Sequence, residues 1–244
     1  MALSIKYSIC MPAYNEEQNI ERTVRDSFAA IRATGSEGEV CVCNDASKDT
    51  TGEILAKLKG EYGDRLVVVT HAPKNEGYGR ALTDAIKASS GDWVATIDSD
   101  GQFDIGQLPE LAARISEGVD CIAGYRERKK DSLLRVIGDR GLNMLVRLMF
   151  GIRHRDTNCA FKLIRGDLLR SLNIESNGFS TPTEIVLKLH ITGARSVEAP
   201  IRHHRRREGK SKLRVIKVSR DFFAFLCYMR KKVNLYKRGI ISKL

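Results

Sequence analysis

The sequence predicts an α/β protein with a mostly parallel sheet and helices on both of its faces. Over the first hundred residues, short runs rich in Val, Ile and Cys alternate with longer amphipathic segments, in the order β-α-β-α-β-α-β. Each helical segment is long enough for a right-handed crossover between parallel strands, which favours a sheet covered on both sides. A chain of 244 residues can bury a full core, as one large domain or two small ones.

The individual elements follow from hydrophobic periodicity and from the residues that cap or break each segment. Strands are predicted at residues 7–11, 39–43, 65–70, 93–97, 121–125 and 195–201. Helices are predicted up to about residue 33, up to about residue 60, and at 81–89, 107–117, 132–150, 166–172, 184–192 and 213–230. The longest stretch without a charged residue has nine residues, far below the ~20 that a transmembrane helix needs. We therefore expect that the chain does not span a membrane by itself.

The cysteines show no metal-binding pattern. They are scattered at positions 10, 41, 43, 121, 159 and 227, with no Cys-x-x-Cys pair and no clustered histidines. Four of them fall in apolar, strand-like runs, which favours buried and reduced thiols over a zinc site. Reduced thiols, together with an N-terminus that does not resemble a secretory signal, predict a cytosolic protein.

Two carboxylates follow the strand predicted at 93–97, at the point where that strand ends. Asp98 and Asp100 are two residues apart, and Gly101 separates them from Gln102. Ligands of open α/β sheets bind outside the carboxyl ends of the strands, and Mg²⁺ takes one or two carboxylates together with water and substrate phosphates. The pattern therefore indicates a divalent ion that docks a nucleotide diphosphate, although an isolated Asp-x-Asp is more often a polar turn.

Polar side chains follow two further strands that end at the same edge. Asp45 comes after the strand at 39–43, where it could accept a hydrogen bond from a nucleobase or a ribose hydroxyl, or simply cap the next helix. Pro12, Tyr14 and Glu16 follow the first strand and add a third wall to the same crevice. Three convergent strand ends predict a ligand site more strongly than any one of them.

Charge is distributed unevenly along the chain. Residues 1–120 carry 12 Lys or Arg against 20 Asp or Glu, whereas residues 121–244 carry 29 against 10. The segment 202–244 alone has a net charge of +13. The acidic half is suited to holding a metal ion, and the basic half to facing an anionic surface.

The helices predicted at 132–150 and 213–230 each combine an apolar face with flanking basic residues. Such a helix either packs in the core or lies on an anionic bilayer, where each Lys or Arg contributes about 1 kcal/mol before screening by salt. Nucleic acid is a competing anionic partner, but the aromatic residues form one apolar block at 222–229 and are not interleaved with the basic ones. We therefore expect a lipid surface and no nucleic acid.

Taken together, these motifs resemble the family 2 glycosyltransferases of the GT-A fold, a Rossmann-like fold. More narrowly, they resemble the polyprenyl-phosphate glycosyltransferases, such as dolichol-phosphate mannose or glucose synthases, from about residue 7 to about residue 215. The segments that indicate the superfamily are 12–16, 44–51, 75–79 and 98–102. The segments that indicate a lipid-phosphate acceptor are 124–126, 140–143, 156–162 and 209–212.

The resemblance implies roles for the matching residues. The implied ligands of Mg²⁺ or Mn²⁺ are Asp98, Asp100 and Gln102. The residues implied for the nucleotide-sugar pocket are Pro12, Tyr14, Glu16, Asp45 and Asp98. Those implied for the acceptor phosphate are Arg126, Arg140, Arg202 and Lys212. The implied catalytic residues are Asp98, Asp100 and Arg126.

Three features of the sequence depart from this pattern or leave it open. The family usually has two acids where this chain has Asn44-Asp45, and the paired C-terminal transmembrane helices of many bacterial members are not found in this sequence. Glu184 is the candidate base if the acceptor is a hydroxyl group, and otherwise an acid at a helix N-terminus. Whether a separate membrane subunit anchors the protein stays open.

The function implied is an inverting transfer of mannose or glucose from GDP-mannose or UDP-glucose to a polyprenyl or dolichyl phosphate. Residues 1–212 would form the catalytic domain, and residues 213–244 a basic amphipathic segment on the cytosolic face of a membrane. One alternative is a family 2 transferase that acts on a sugar hydroxyl in polysaccharide or glycolipid synthesis. Another is a non-catalytic module that binds a lipid or a protein partner. The residues do not distinguish guanine from uracil in the donor.

Overall fold

A computed structural model describes residues 5–127, 133–204 and 215–244. The strands in this part of the chain are β1 (Tyr7–Ala13), β2 (Gly38–Asp45), β3 (Leu66–His71), β4 (Trp93–Thr96), β5 (Cys121–Arg126), β6 (Lys162–Arg165) and β7 (Ser196–Ile201). The helices are α1 (Ile20–Ala33), α2 (Thr51–Tyr62), α3 (Tyr78–Lys87), α4 (Leu108–Ala112), α5 (Leu133–Phe150), α6 (Gly166–Ser171), α7 (Thr181–Ile191) and α8 (Val215–Lys237). These strands form one sheet in the order β3-β2-β1-β4-β6-β5-β7.

The first four strands run parallel to one another and separate two hydrophobic cores. Because successive side chains of a strand point to opposite faces, Ile9 and Met11 pack in one core with α1 and α2. Cys10 and Cys41 point into the opposite core with α3 and α7. The cysteines are free thiols, and all but Cys227 are buried. The predicted α/β fold with helices on both faces is confirmed.

β6 was not predicted, and it makes the sheet mixed. It is antiparallel to both of its neighbours, with Leu163 opposite Ala95 of β4 and opposite Ile122 of β5. The strand has only four residues, begins with a fully buried lysine, Lys162, and runs directly into α6. Its local sequence therefore carries little strand signal, and pairing with strands far away in the sequence defines it.

The helix predicted at 107–117 is shorter in the structure. A 3₁₀ turn at Ile105–Gln107 leads into α4, which ends at Ala112. Beyond that point the amide groups of Arg114 and Ile115 donate to carbonyl groups three residues earlier. The chain therefore continues in tighter turns instead of a full α-helix.

The two helices predicted to be interfacial, α5 and α8, both bury one face in the protein. Val146 of α5, Leu187 of α7, and Leu226 and Met229 of α8 belong to a third core. The boundary predicted between residues 212 and 213 lies outside the described residues. Within the described ranges, no helix has both the length and the apolar character needed to cross a bilayer.

Candidate active site

A cavity of about 540 Å³ lies where β1, β2 and β4 end. Its volume is in the range usual for small-ligand sites. The predicted site residues that line it are Pro12, Tyr14, Glu16, Asp45, Asp98, Asp100, Gln102 and Arg126. The structure thus brings together residues from four separate parts of the sequence, because parallel strands present their carboxyl ends at one edge of a sheet.

The strand ends are tied to one another below the cavity. Ser99 donates a hydrogen bond to the carbonyl of Pro12 at 2.7 Å. The side chain of Asn19 donates to the Glu16 carboxylate at 2.9 Å, and the backbone carbonyl of Glu16 accepts from Asn19 and Ile20 at the start of α1. The carboxylates in the cavity are therefore attached to rigid elements and not to a long loop.

Asp98 and Asp100 supply two carboxylates on a short turn. The Asp98 carboxylate accepts a hydrogen bond from the Tyr78 hydroxyl at 2.8 Å, and Asp100 accepts from the amide of Gln102 at 3.1 Å. Burial raises the pKa of Asp98, against the opposing effects of the Tyr78 hydrogen bond and the positive charge of Arg126. A nearby cation would stabilise the charged form of this half-buried carboxylate.

These groups fit a hard divalent cation. Carboxylate and amide oxygens are the donors that Mg²⁺ uses, and Mg²⁺ keeps positions for water and phosphate. The described residues contain no group of three or more His, Cys, Asp or Glu side chains that could enclose a metal by themselves. The donor set of Asp98, Asp100 and Gln102 is therefore suited to an ion shared with a bound phosphate.

His203 is a cavity residue that the sequence did not single out. It forms an isolated antiparallel bridge with Phe103, and the two rings meet edge to face with centroids 5.2 Å apart. The next residue, His204, donates its amide to the carbonyl of Gln102 at 2.7 Å. The chain after β7 therefore folds back against the Asp98–Gln102 turn and adds an imidazole to the lining of the cavity.

Arg126 lines the cavity, and its guanidinium is paired with two carboxylates of the protein. Its guanidinium donates to both oxygens of Asp156, at 2.7 and 3.1 Å, and to Asp139 of α5 at 2.9 Å. Burial by itself would lower the pKa of Arg126, but the two carboxylates outweigh it and raise the pKa. These hydrogen bonds fix the guanidinium in place beside α5.

A second wall of the cavity comes from the start of α3 and the loop at 176–179, which contact each other. The rings of Tyr78 and Phe179 are stacked with centroids 5.3 Å apart. The amide of Gly79 donates to the carbonyl of Asn177 at 3.1 Å, and a Cβ at Gly79 would collide with the carbonyl of Ser176. Glycine is therefore required at position 79, where the start of α3 approaches the loop at 176–179.

Comparison with known proteins decides the family. The sequence model described as glycosyl transferase family 2 matches residues 8–170, which include the whole strand-end part of the cavity. This chain belongs to glycosyl transferase family 2. The undecaprenyl-phosphate 4-deoxy-4-formamido-L-arabinose transferase of Salmonella paratyphi A is 26% identical over 224 residues, which cover 91% of this chain and 67% of that protein.

Solved structures agree on the fold of this family 2 glycosyltransferase. Glucosyl-3-phosphoglycerate synthase from Mycobacterium tuberculosis, in complex with Mn²⁺, UDP-glucose and phosphoglyceric acid, superposes with a TM-score of 0.70. It is 22% identical, over 94% of this chain and 81% of that one. The same synthase with Mg²⁺ and UDP gives a TM-score of 0.69 at 22% identity, over 94% and 80% of the two chains. The predicted GT-A fold is therefore confirmed.

The structure does not bring three predicted site residues of the transferase to the cavity: Arg202, Arg140 and Glu184. Arg202 pairs with Asp104 at 3.3 Å and with Glu110 at 2.7 Å, and its side chain is more than half exposed. Arg140 is exposed on α5, one residue after Asp139. Lys212 lies outside the described residues, so its implied role in binding the acceptor phosphate stays a prediction.

The third of these residues, Glu184, is fully buried at the start of α7. Its carboxylate accepts hydrogen bonds from the backbone amides of Glu175 and Ser176 at 2.9 and 2.8 Å, and it pairs with Lys188 at 2.8 Å. A carboxylate enclosed in this way has no access to a substrate hydroxyl. The structure therefore does not support Glu184 as the base of the hydroxyl-acceptor alternative, and favours its alternative role at a helix N-terminus.

Apolar side chains form the remaining part of the cavity lining. Leu142 comes from α5, Val218 and Phe222 come from α8, and Phe179 and Pro182 come from the segment around the start of α7. The same cavity thus holds carboxylates, a guanidinium and an apolar surface. The cavity of this family 2 transferase is therefore suited to polar and apolar ligand groups side by side.

Proposed function

We propose that this protein transfers a hexose from a nucleotide diphosphate sugar to a polyprenyl phosphate at a membrane surface. The observation that carries the proposal is the single cavity in which strand-end carboxylates meet Arg126 and the apolar residues of α5 and α8. The relative named above acts, by its name, on undecaprenyl phosphate. That acceptor combines a phosphate with a long apolar chain, which matches the mixed lining.

The donor would bind at the strand ends. Asp98, Asp100 and Gln102 would hold Mg²⁺ or Mn²⁺, which supplies Lewis-acid stabilisation of the charge that develops on the departing diphosphate. Pro12, Tyr14, Glu16 and Asp45 would line the nucleotide part of the site, and they are among the cavity residues contributed by β1, β2 and the turn after β1. The base of the donor is not distinguished, so UDP-glucose and GDP-mannose both remain candidates.

The acceptor would enter from the side of α5 and α8. A phosphate monoester has a second pKa of about 6, so it arrives as an anion and needs no general base. Its oxygen would attack the anomeric carbon opposite the diphosphate, and the new C–O bond would form as the bond to the leaving group breaks. Arg126, held by Asp156 and Asp139, would orient the acceptor phosphate. The burial of Glu184 is consistent with chemistry that uses no base.

Exposed apolar and basic side chains on α5 and α8 support contact with a bilayer. Met144 and Leu148 are 62% and 70% exposed, one helical turn apart on α5, and Phe223 of α8 is 50% exposed. Arg147 and Arg230 are exposed on the same two helices. Apolar side chains that insert and basic ones that meet anionic headgroups are the features of an interfacial helix. We infer a peripheral position on the cytosolic face.

The transfer itself is tested with radiolabelled donors. Purified protein is mixed with Mn²⁺, liposomes that contain undecaprenyl phosphate, and either UDP-glucose or GDP-mannose. We expect one donor to give an organic-extractable, acid-labile product, and Asp100→Asn to abolish it while Asp64→Asn, an equal charge change at an exposed site, does not. Transfer that Asp100→Asn leaves intact would overturn the metal assignment, and no lipid product with either donor would overturn the function.

Membrane contact is tested separately by sedimentation with anionic liposomes at low salt. We expect the double substitution Met144→Glu and Leu148→Glu to reduce the bound fraction severely, because it places two charges on the apolar face. The same charge change at the exposed residues Ala33 and Thr70 is the matched control. Equal binding by the two double variants would contradict the interfacial position of α5.

A further inference from the structure

His71 lies at the end of β3 between two carboxylates. Its Nδ1 is 2.6 Å from Oδ1 of Asp45, and its Nε2 is 3.0 Å from Oδ2 of Asp84 on α3. Asp45 and His71 are register partners on adjacent parallel strands, so the first contact is built into the sheet. The side chain of His71 is only 11% exposed, and His71 does not itself line the cavity.

The two contacts require both ring nitrogens of His71 to donate. An ionised carboxylate only accepts, and a neutral imidazole has one N–H and one lone pair. In the neutral form, that lone pair would face a carboxylate oxygen at 2.6 or 3.0 Å. With both carboxylates ionised, the geometry therefore favours the imidazolium.

The groups around the ring act in the same direction. Burial by itself would lower the pKa of His71, but the hydrogen bonds and negative charges of Asp45 and Asp84 outweigh it and raise the pKa. The Cys43 thiol of β2 lies 3.4 Å from Nε2, and Arg80 of α3 donates to Asp84 at 2.7 Å. In the described part of the chain, these titratable and charged side chains face His71 or its partners from the neighbouring strand and helix.

Asp45 links His71 to the wall of the cavity. Its Oδ1 also accepts the amide of Glu76 at 2.8 Å, and its Oδ2 accepts the amide of Gly77 at 2.9 Å. Donors in the described part of the chain thus account for three of roughly four lone pairs of this carboxylate. Asn75 and Gly77 line the cavity, and Asn75 donates to the Asp45 carbonyl at 3.2 Å. The loop 75–77 therefore depends on how the Asp45 carboxylate is oriented.

We propose that protonated His71, held by Asp84, is a positioning residue for the nucleotide. It fixes the rotamer of Asp45, and through Asp45 it fixes the loop 75–77 that forms one side of the donor site. This inference rests on the proposed function, because it assumes that the cavity takes a nucleotide. Since the imidazolium makes both contacts, nucleotide affinity is highest below the pKa of His71 and falls as the pH rises through it.

The test measures dissociation constants by calorimetry for UDP and for GDP, each with Mn²⁺, between about pH 6 and pH 8.5, where a histidine with a raised pKa titrates. We expect His71→Gln to bind the recognised nucleotide about tenfold more weakly than wild type at the acid end, as for the loss of one hydrogen bond to a charged group. The ratio of the dissociation constant of His71→Gln to that of wild type should fall towards one as the pH rises. His190→Gln, at an exposed site on α7, should match wild type throughout.

Asp84→Asn provides an independent readout, which also serves if His71→Gln fails to fold. It keeps an acceptor for Nε2 but removes a charge that raises the pKa of His71, so affinity should be lost at a lower pH than in wild type. A wild-type protein that binds neither nucleotide would overturn the proposed function. If wild type binds a nucleotide, but the pH dependence of the affinity is the same in Asp84→Asn or in folded His71→Gln, the positioning role alone would be overturned.

Discussion

Glu175 connects α8 to α7, and its removal should loosen that connection. Its carboxylate accepts hydrogen bonds from Lys188 of α7 at 2.8 Å and from the Tyr228 hydroxyl of α8 at 2.6 Å, and it also pairs with Lys232 of α8. Glu175 immediately precedes the loop that contributes Asn177 and Phe179 to the cavity. The substitution Glu175→Gln removes the charge while keeping the size of the side chain.

The magnitude follows from the pKa of Glu175. Burial by itself would raise this pKa, but the hydrogen bonds from Lys188, Lys232 and Tyr228 outweigh it and lower the pKa from 4.5 to about 2. Converted in full, that difference corresponds to ~3 kcal/mol of folding free energy at neutral pH. Solvent reaches part of the side chain and screens the charges, and Lys188 keeps Glu184 as a partner, so we expect a loss of about 1–2 kcal/mol.

The dependence on pH has a definite sign. A carboxyl group with a lowered pKa stabilises the folded state above its unfolded pKa, and this contribution is lost as the pH falls from about 5 towards about 2. The difference between wild type and Glu175→Gln should therefore be constant around neutral pH and shrink in acid. Urea unfolding followed by the fluorescence of Trp93, the single tryptophan, measures the free energies. Equal stability of wild type and Glu175→Gln at neutral pH would refute this reasoning. So would a difference between them that exceeds the effect of the exposed control Glu117→Gln and persists unchanged in acid.

Two further substitutions probe the cavity wall and the acceptor side. Gly77 has φ +102° and a Cβ there would lie 2.5 Å from the Asn177 carbonyl, so Gly77→Ala should destabilise the protein by about 1–3 kcal/mol and weaken nucleotide binding. Gly60→Ala, in an open helical position, should instead stabilise it by about 0.5–1 kcal/mol in the same urea experiment. Arg126→Lys loses the two-pronged pairing with buried Asp156, so it should cost about 2–3 kcal/mol and raise KM for the lipid phosphate more than KM for the donor. Unchanged kinetics in folded Arg126→Lys would contradict its contact with the acceptor.

The sequence was sufficient for the parts of the site that local rules govern. Asp45 and Asp98 each come at the end of a short, mainly apolar run, and the parallel order of the strands brings them to one edge. The polar ends of three strands therefore meet in the cavity as predicted. The roles assigned to them there stay predictions until binding is measured.

Long-range contacts account for what the sequence did not reveal. Arg202 follows a strand near other basic residues, but Asp104 and Glu110, about 90 positions earlier, pair with its guanidinium. The sequence around Glu184 shows a helix N-terminus, yet only the fold shows that Glu184 is enclosed with Lys188. The surroundings of His71 and His203 come from other parts of the chain, Asp45 and Phe103 among them, which no spacing along the sequence encodes.

The nature of the acceptor tests the central claim most directly. The protein is given Mn²⁺, the radiolabelled donor that it uses, and liposomes that contain either undecaprenyl phosphate or undecaprenol, which differ only in the phosphate. Because the site offers Arg126 for a phosphate and keeps Glu184 buried, we predict transfer to undecaprenyl phosphate and none above background to undecaprenol. Comparable transfer to undecaprenol, or transfer only to a water-soluble sugar, would contradict the claim that this cavity transfers a sugar from a nucleotide diphosphate to a lipid phosphate.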